Sequence, residues 1–537
     1  MQNKNNFNNQ PSQKEMAELE NLFKSNELDK LERKIAEFIS TYPNVPVLYN
    51  ILGIVCQKKN NINHAISNFK RAINLRPNFD QAINNLGNAL QHIGRFEEAI
   101  SNYKKVIKIN SNYAEAYSNL GNALAELGKF EEAISNYQKA IELNPDHPEF
   151  YTNLGGSLVE AGKFEEAISN LQKAIKLNPN YAEAYSNLGN AQAGLEKFEE
   201  AISNYQKAIK LNPKYKEAIK NESMVRLTMG DFKIGWEKYE ARLEENIKIP
   251  VVYENEKKWN GKYLNGTLLV WGEQGVGDHI MFSSMLFDLK NHAKDILLQI
   301  DKRLENLLKR YFQKVNLLNI KIISSEKKFT GNFDKHIAIG SLGQYLRKTR
   351  ASFDATPKKY LITSTIKENE YKKKFLDNDK FKIGISWKTL NKLQQYRNID
   401  LKKMLPILSN QSCDFVSLQF GEFGDELKYI KSKFDINIKS IKEINNFRDI
   451  DNLAALINCL DLVITIQNST AHLSGALGKN TWLMLANNAR WHWQKKDNKS
   501  IWYPSVKIYR QEKNGDWNNV INNISSDLKS FINQNKK

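Results

Sequence analysis

Five glycines, Gly53, Gly87, Gly121, Gly155 and Gly189, stand 34 residues apart, each directly after a leucine, and four of the five sites read Asn-Leu-Gly. A fixed period of this length marks a repeat architecture, in which each unit is a small supersecondary element that buries its apolar face only against its neighbours. Ala65, Ala99, Ala133, Ala167 and Ala201 keep the same period, as do Pro43, Pro77, Pro145, Pro179 and Pro213, with Ser111 standing in once. Tyr117, Leu120 and Leu124 fall at i, i+3 and i+7 of one helix. Gly121 and Ala133 leave room for a second helix to approach closely, and its stripe is Phe130, Ala133, Ile134 and Tyr137. Asn144-Pro145 ends that second helix, because the pyrrolidine ring disfavours helical backbone in the residue before it. The spacing predicts a stack of helix-turn-helix units.

These units resemble tetratricopeptide repeats over about Leu48 to Leu243, with a degenerate unit near Met224 to Trp236 and a partial one before Pro43. Stacked units of this kind offer a concave face to an extended partner, here a protein or peptide. Asn85, Asn119, Asn153 and Asn187 recur just before the Leu-Gly pair, on the helix that lines the groove in this repeat class. Side-chain amides both donate and accept, so a ladder of them holds extended backbone without reading its sequence. The pattern resembles the asparagine ladder of the protein O-GlcNAc transferase repeats, and Ile51 breaks it at its start. The alternative is that recent duplication copied a neutral asparagine.

A chain of 537 residues is too long for one core, and 41% hydrophobic content supplies more than one. The net charge of +18 favours anionic partners, but lysine is spread along the whole chain and no five Lys/Arg are consecutive. We read the charge as compositional drift and expect no nucleic-acid partner, leaving peripheral contact with a membrane open. Cys56, Cys413 and Cys459 are far apart and odd in number, which excludes a disulfide framework or a zinc site of the usual spacing. Met1 to Gln13 is Asn/Gln-rich without an apolar h-region, so residues 1–15 read as a disordered leader. No apolar run approaches the ~18 residues of a membrane span. A cytoplasmic location is expected.

The repeats are assigned to residues 16–247; beyond Glu244 the period is lost, and 248–260, with Pro250, reads as a polar linker. Short β-rich runs follow at Thr267 to Trp271, Ile296 to Ile300, Ile337 to Ile339, Lys382 to Trp387, Phe415 to Gln419 and Leu462 to Ile466. Helical stretches such as Leu304 to Phe312 lie between them, an order that implies a parallel α/β arrangement. The length suits two lobes, 261–375 and 376–537, with a break around Pro357 to Asn378. The fold class is therefore an α-solenoid followed by an α/β domain.

Two strand ends carry the candidate chemistry. At the first, Gly272-Glu-Gln-Gly275-Val-Gly277-Asp278-His279 leads into a helix over Ile280 to Leu289. Its glycines let backbone N–H groups approach a ligand, and Asp278 or His279 can act as a base. The plainer possibility is a tight turn with Asp278 as an N-cap. At the second, a buried strand ends in Asn468-Ser469-Thr470-Ala-His472, which opens a small-residue helix. A helix N-terminus with free N–H groups suits a diphosphate. His472 reads equally as a core histidine. Asp449-Ile-Asp451 is read as the cap of a helix over Asn452 to Cys459 rather than as a metal motif.

At these residues, and through Ile383-Gly-Ile-Ser-Trp387-Lys388, Arg397, Ser417-Leu-Gln419 and Trp502-Tyr503-Pro504, the chain resembles GT-B glycosyltransferases. Within that group it is similar to the heptosyltransferases bearing tetratricopeptide repeats and, more distantly, to the O-GlcNAc transferases. The resemblance implies two Rossmann-like lobes and an inverting, metal-independent sugar transfer from a nucleotide-diphosphate sugar, with no cofactor. It implies that Asp278 deprotonates the acceptor, with His279 beside it, and that Lys388 neutralises the leaving diphosphate. It puts donor contacts at Gly275, Gly277, Arg397, Gln419, Asn468, Ser469, Thr470 and His472. Two motifs depart from the family pattern: Asn468-Ser469 replaces Asp-Thr, and Ala489-Arg-Trp-His-Trp493 replaces Asp-Trp-Arg-Trp. A rival reading is a non-catalytic scaffold with a decayed transferase domain. Another, a basic nucleic-acid binder, predicts steeply salt-dependent binding.

Overall fold

The computed structural model describes residues 10–245, 253, 256–325, 328–390, 396–487, 489–495 and 497–535. The chain divides into two compact units, Met1–Pro213 and Lys214–Lys537.

The first unit is a run of helical hairpins: α1 (Gln13–Lys24) with α2 (Leu28–Thr41), α3 (Pro46–Lys58) with α4 (Ile62–Leu75), and α5 (Asp80–His92) with α6 (Phe96–Ile109). It continues through α7 (Ala114–Glu126) with α8 (Phe130–Leu143), α9 (Pro148–Glu160) with α10 (Phe164–Leu177), and α11 (Ala182–Gly194) with α12 (Phe198–Leu211). The helix ends obey the 34-residue period more faithfully than the helix faces do. Asn26, Asn60, Gly94, Gly128, Gly162 and Glu196 all stand at positive φ in the hairpin turns, at 58°, 60°, 76°, 74°, 76° and 63°. Each turn closes by a backbone bond five residues back, such as Arg95 N–H to Leu90 O at 2.9 Å, the Schellman pattern that satisfies a terminal carbonyl.

The periodic glycines answer a different need, which is close approach. A Cβ on Gly121 would stand 2.6 Å from the ring of Tyr137, and one on Gly87 2.5 Å from that of Tyr103. Tyr103, Tyr137 and Tyr205 donate their hydroxyls to Asn88, Asn122 and Asn190 at 2.7, 2.7 and 2.8 Å. Where Phe69 or Leu171 takes the ring position, Ile54 or Gly156 takes the asparagine position. Hydroxyl and acceptor come and go together, which avoids burying a polar group without a partner. Helix α1 begins at Gln13, inside the segment expected to be a disordered leader, because Ser12 and Glu15 form a reciprocal capping box. Residues 1–9 of that leader lie outside the described residues, as do 246 and 247 at the end of the expected repeats and 248–252, 254 and 255 of the expected linker.

The second unit opens with one more hairpin, α13 (Lys216–Met229) and α14 (Phe232–Tyr239), followed by the single turn α15 (Arg242–Glu245). Its turn residue Gly230, at φ 87°, is again 34 residues beyond Glu196. This hairpin packs inside the α/β unit. Leu227, Phe232, Trp236 and Tyr239 are buried in the same core cluster as the strands that follow. Trp236 meets Trp491 edge-on at 5.3 Å and donates its indole N–H to Arg347 O at 2.8 Å.

Strands β1 (Leu264–Trp271), β2 (Ala293–Ile300), β3 (Ile320–Ser324) and β4 (Lys335–Ala338) form a parallel sheet in the order β3-β2-β1-β4. Strands β5 (Phe381–Ser386), β6 (Cys413–Ser417), β7 (Ile438–Lys439), β8 (Leu462–Ile466), β9 (Thr481–Leu485) and β10 (Val506–Arg510) form a second, in the order β10-β9-β8-β5-β6-β7. All the pairings in this second sheet are parallel as well. In both sheets the chain runs outward on one side of its first strand and then returns to the other side. The crevices beside the carboxyl ends of β1 and β4, and of β5 and β8, are therefore topological switch points, where open α/β sheets bind ligands.

The described helices of this part are α16 (Val276–Ser283), α17 (Leu286–Leu289), α18 (Glu305–Lys314), α19 (Gly343–Leu346), α20 (Thr365–Phe375), α21 (Leu405–Leu408), α22 (Gly424–Phe434), α23 (Ile450–Cys459), α24 (Ser469–Ala476) and α25 (Asn518–Asn535). The expected single helix after the first glycine turn is two pieces, α16 and α17. The expected break at 357–378 carries α20. Asp449 caps α23 through Asn452 N–H, and Asp451 takes a paired contact from Arg310 at 2.6 and 2.9 Å.

Candidate functional site

The two switch points face each other across a cleft of about 590 Å³. From the first sheet comes the turn Gln274 to Asp278, which starts α16; from the second come Ser386 and Lys388 after β5, Gln419 and Phe420 after β6, and Gln467 to His472 after β8. The lobes touch at the two helix starts: a Cβ on Gly277 would come 3.1 Å from the ring of His472. Glycine is favoured there by tight space, not by φ. Thr389, Leu390, Arg397, Arg490 and His492 complete the lining.

Asp278 is half-buried at the first turn of α16 and accepts the Gly275 N–H at 3.3 Å. Burial raises its pKa above the usual aspartate range, and the nearby Arg490 charge and the Gly275 N–H act against that rise. A carboxylate tuned upward in a cleft is suited to general-base work at neutral pH. His279, its neighbour in sequence, does not line the cleft. It is buried beneath Gly272 and accepts Asp301 N–H through Nδ1 at 3.1 Å, so it cannot share the base role expected for it. A helical step of one residue turns the side chain about 100°, from cleft to core.

Several residues expected to contact the donor are struts. Gln419 Oε1 accepts from Trp387 N–H at 3.0 Å and Lys388 N–H at 2.9 Å, while its Nε2 donates to Lys388 O at 3.1 Å and Phe420 O at 2.9 Å. Its amide therefore fixes the backbone after β5 and β6. Asn468 Oδ1 caps α24 by accepting Thr470 N–H at 3.0 Å and Ala471 N–H at 3.3 Å, and its Nδ2 donates to Ser386 Oγ at 2.8 Å. Asn468 thus joins β8 to β5 and leaves Ser469 exposed at the helix start. Lys388 lines the cleft, but its ammonium is paired with Glu426, which also accepts the indole N–H of Trp387 at 3.0 Å. Any anion taking up Lys388 must share it with that carboxylate. Arg397 is buried and stacks its guanidinium on Tyr396, whose hydroxyl it donates to; burial lowers its pKa.

His472 is buried at α24 with Nδ1 2.8 Å from the Tyr503 hydroxyl, and burial together with the Arg490 charge drives its pKa down to about 3. His492 is buried beside it, and burial, then the neighbouring His472 and the Arg490 and Arg397 charges, push its pKa well below the usual histidine range. Sequence reasoning missed His492, Arg490, Phe420 and Gln467. Gln467 is only 4% exposed and lines the cleft, yet neither its amide nitrogen nor its oxygen has a hydrogen-bond partner among the described residues. Nε2 of His492 is likewise unpartnered. Buried polar atoms without partners are rare, and beside a cavity they are candidates for contact with a ligand or a bound water.

A few residues hold the cleft walls. Arg242 and Glu273 form a buried ion pair with a 3.0 Å Nε–Oε2 bond; Glu273 also accepts Gly340 N–H, and Arg242 also donates to Ser341 Oγ, both at 3.0 Å. Glu273 precedes the Gln274 to Asp278 turn, so α15 braces the wall that carries Asp278. On the other wall, Gln494 Nε2 donates to Leu227 O at 2.8 Å and Trp491 packs on Trp236 and Tyr239.

In the first unit the asparagine ladder is stitched from hairpin to hairpin. Asn85 Nδ2 donates to Asn50 Oδ1 at 3.0 Å, Asn119 Nδ2 to Asn84 Oδ1 at 3.1 Å, and Asn153 Nδ2 to Ser118 Oγ at 3.4 Å. Asn187 is half-buried, with Gly156 leaving space beside its amide. Asn119, with Gln57, Asn88 and Gln91, lines a groove cavity of about 410 Å³.

Tetratricopeptide-repeat family models match residues 47–79, 68–101, 92–128, 121–158, 155–196 and 182–219. The protein is a tetratricopeptide-repeat array followed by a domain of parallel α/β sheets. It is similar to Protein FlbA of Caulobacter vibrioides (strain ATCC 19089 / CIP 103742 / CB 15), at 27% identity over 295 residues covering 51% of this chain and 48% of that one. The chain thus spans about half the length of the curated relative it matches. Similar solved structures include YrrB, a TPR protein with an unusual peptide-binding site (23% identical, 34% of this chain and 95% of that, TM-score 0.30). Others are the thermophilic TPR protein TTC0263 of Thermus thermophilus (22%, 34% and 100%, TM-score 0.31) and PilF of Pseudomonas aeruginosa (16%, 38% and 93%, TM-score 0.35). No helix among the described residues is long and apolar enough to cross a membrane.

Proposed function

We propose that the second unit is a glycosyltransferase that moves a sugar from a nucleotide-diphosphate sugar to a protein or glycan acceptor, with inversion, and that the repeats hold that acceptor. The observation that carries the reading is the cleft itself. An aspartate with a raised pKa shares the cleft with a capped helix start, and Gln467 and His492, which also line it, carry buried polar atoms with no partner among the described residues. In this reading Asp278 takes the proton of the acceptor hydroxyl as it attacks the anomeric carbon. Ser469, exposed at the start of α24 where the Asn468 cap already takes the Thr470 and Ala471 N–H groups, acts with Lys388 and Arg490 to stabilise the negative charge that grows on the departing nucleoside diphosphate. The neutral His472 and His492 serve as hydrogen-bonding groups to the sugar or phosphate rather than as counter-charges. The stitched amides of the repeats keep their carbonyl oxygens for backbone N–H groups of an extended acceptor.

Calorimetric titration with nucleoside diphosphates, paired with a search for nucleoside diphosphate released from nucleotide sugars, tests the reading. Saturable binding at one site per chain and release that depends on Asp278 are expected. Binding without release under any acceptor would leave a nucleotide-binding scaffold, a reading favoured by the internal occupation of Gln419, Asn468 and Lys388. Absence of both would remove the nucleotide-sugar function altogether.

A further inference from the structure

Phe420 and Phe447 are aromatic rings left in solvent, 38% and 47% exposed, yet they are not loose. They stack on each other with centroids 4.6 Å apart and planes 22° from parallel. The guanidinium of Arg303 lies over Phe447 at 4.8 Å and donates to its carbonyl at 2.8 Å. Asp301 in turn grips Arg303 at 2.9 and 2.7 Å, and Asn446 Nδ2 holds the loop by donating to Gln419 O at 3.0 Å. The result is a layered pile, Arg303 then Phe447 then Phe420, fixed from below and ending on the ring that lines the cleft. Leu390, 58% exposed, packs over the backbone of Gly421 next to it and lines the same cavity. Two aromatic rings held rigid in water contribute less to the fold than they would if buried; a preformed flat apolar surface at a cleft is the arrangement that receives another flat ring.

We propose that Phe420 is the seat of the nucleobase, so that the ligand of this cleft is a nucleoside diphosphate with its base stacked on this ring. The inference rests on the transferase reading and adds to it the part of the ligand that the diphosphate contacts leave unspecified. Placement supports it. The start of α24 follows β8 and Phe420 follows β6, with β5 between them, so the two features lie about 10 Å apart at ordinary strand spacing. That separation matches an extended nucleotide lying across the strand ends, diphosphate at one end and base at the other. Stacking is tolerant of base identity because every base has a π-face.

The test compares nucleoside diphosphates, a pyrimidine and a purine one, with inorganic pyrophosphate as ligands of the full chain, for wild type, Phe420→Leu and Phe420→Trp. Leucine keeps apolar bulk and removes the π-face; tryptophan enlarges it. Phe420→Leu is expected to weaken both nucleoside diphosphates by about tenfold to a hundredfold while pyrophosphate binding stays within twofold. Phe420→Trp should bind nucleoside diphosphates within a few fold of wild type. Equal losses for pyrophosphate and nucleotides, or no loss for either nucleotide, would overturn the seat. A wild-type protein that binds pyrophosphate but no nucleoside diphosphate would also overturn it while sparing an anion site at α24. A wild-type protein that binds none of the three removes the transferase reading, and the seat with it.

Discussion

Asp278 and Gln467 carry the sharpest consequences of single side chains. Asp278 must be ionised to act as a base, and burial raises its pKa, so turnover should fall as pH drops through a value above the usual aspartate range. Asp278→Asn should lower turnover by about 10² to 10⁴-fold and leave nucleotide affinity nearly unchanged, read from initial rates and calorimetry. Turnover within a few fold of wild type would assign the proton to another group, and His279 is a poor substitute because it is locked in the core by Asp301. Gln467 poses the opposite experiment. Its amide is buried without partners, so Gln467→Leu removes a desolvation penalty and should raise stability by about 1–3 kcal/mol in urea unfolding. The same change should weaken nucleotide or nucleotide-sugar binding, the exchange of function for stability expected of a ligand contact. Gain of stability with unchanged binding would make Gln467 an ordinary packing defect. At this scale the sequence singled out two strand ends that line one cleft but did not show what each side chain does there. Asn468 and Gln419 line the cleft and spend their amides on contacts within the fold, whereas Gln467 and His492 stand out by buried polar atoms without partners among the described residues, which no sequence pattern displays.

Elements were legible in proportion to how local their cause is. The hairpins repeat one local geometry, so glycine and alanine spacing reveals them, and the left-handed turn residues extend the period to Asn26 and Gly230, where the apolar pattern is diluted. Strand β9, Thr481–Leu485, was not anticipated: a short run buried on both faces has no alternation to read. Nor does periodicity reveal that the last hairpin belongs to the core of the α/β unit. That follows from three long side chains, Trp236, Tyr239 and Arg242, meeting partners a hundred or more residues away in sequence or, for Glu273, across the next strand. Arg242 is the member with most at stake, since its loss strands a buried carboxylate. Arg242→Met should destabilise the second unit by about 3–5 kcal/mol. The double variant Arg242→Met with Glu273→Met should recover much of that loss, because the uncompensated charge is gone. If the single variant unfolds at the wild-type urea midpoint, α15 is not the brace of the cleft wall.

The whole molecule offers two spectroscopic handles that separate its units. All nine tryptophans, Trp236 to Trp517, lie in the second unit, whereas the first unit is built of helical hairpins, so tryptophan fluorescence follows the second unit alone and helical circular dichroism draws on both, more on the first. The histidines whose pKa burial lowers, His279, His336, His472 and His492, also all belong to the second unit. For His472 the folded value of about 3 lies below the unfolded value, near 6.5. The unfolded chain therefore binds more protons between those limits, and stability present above about pH 6.5 is lost as pH falls. His472 alone accounts for about 2 kcal/mol lost by pH 5. Asp278 works the other way, since its raised pKa contributes stability at low pH that is lost as pH rises, but one aspartate opposes four histidines. Acidification from pH 7 to 5 should consequently lower the urea midpoint seen by fluorescence more than that seen by circular dichroism, and His472→Gln should shrink the fluorescence shift. A nucleoside diphosphate at a hundred times its Kd should raise the fluorescence transition by about 2.7 kcal/mol and leave the first unit's share of the circular-dichroism transition in place, because a ligand stabilises only the unit that binds it. If the two probes trace one coincident transition under every condition, the units unfold together and the repeats are thermodynamically part of the domain they precede.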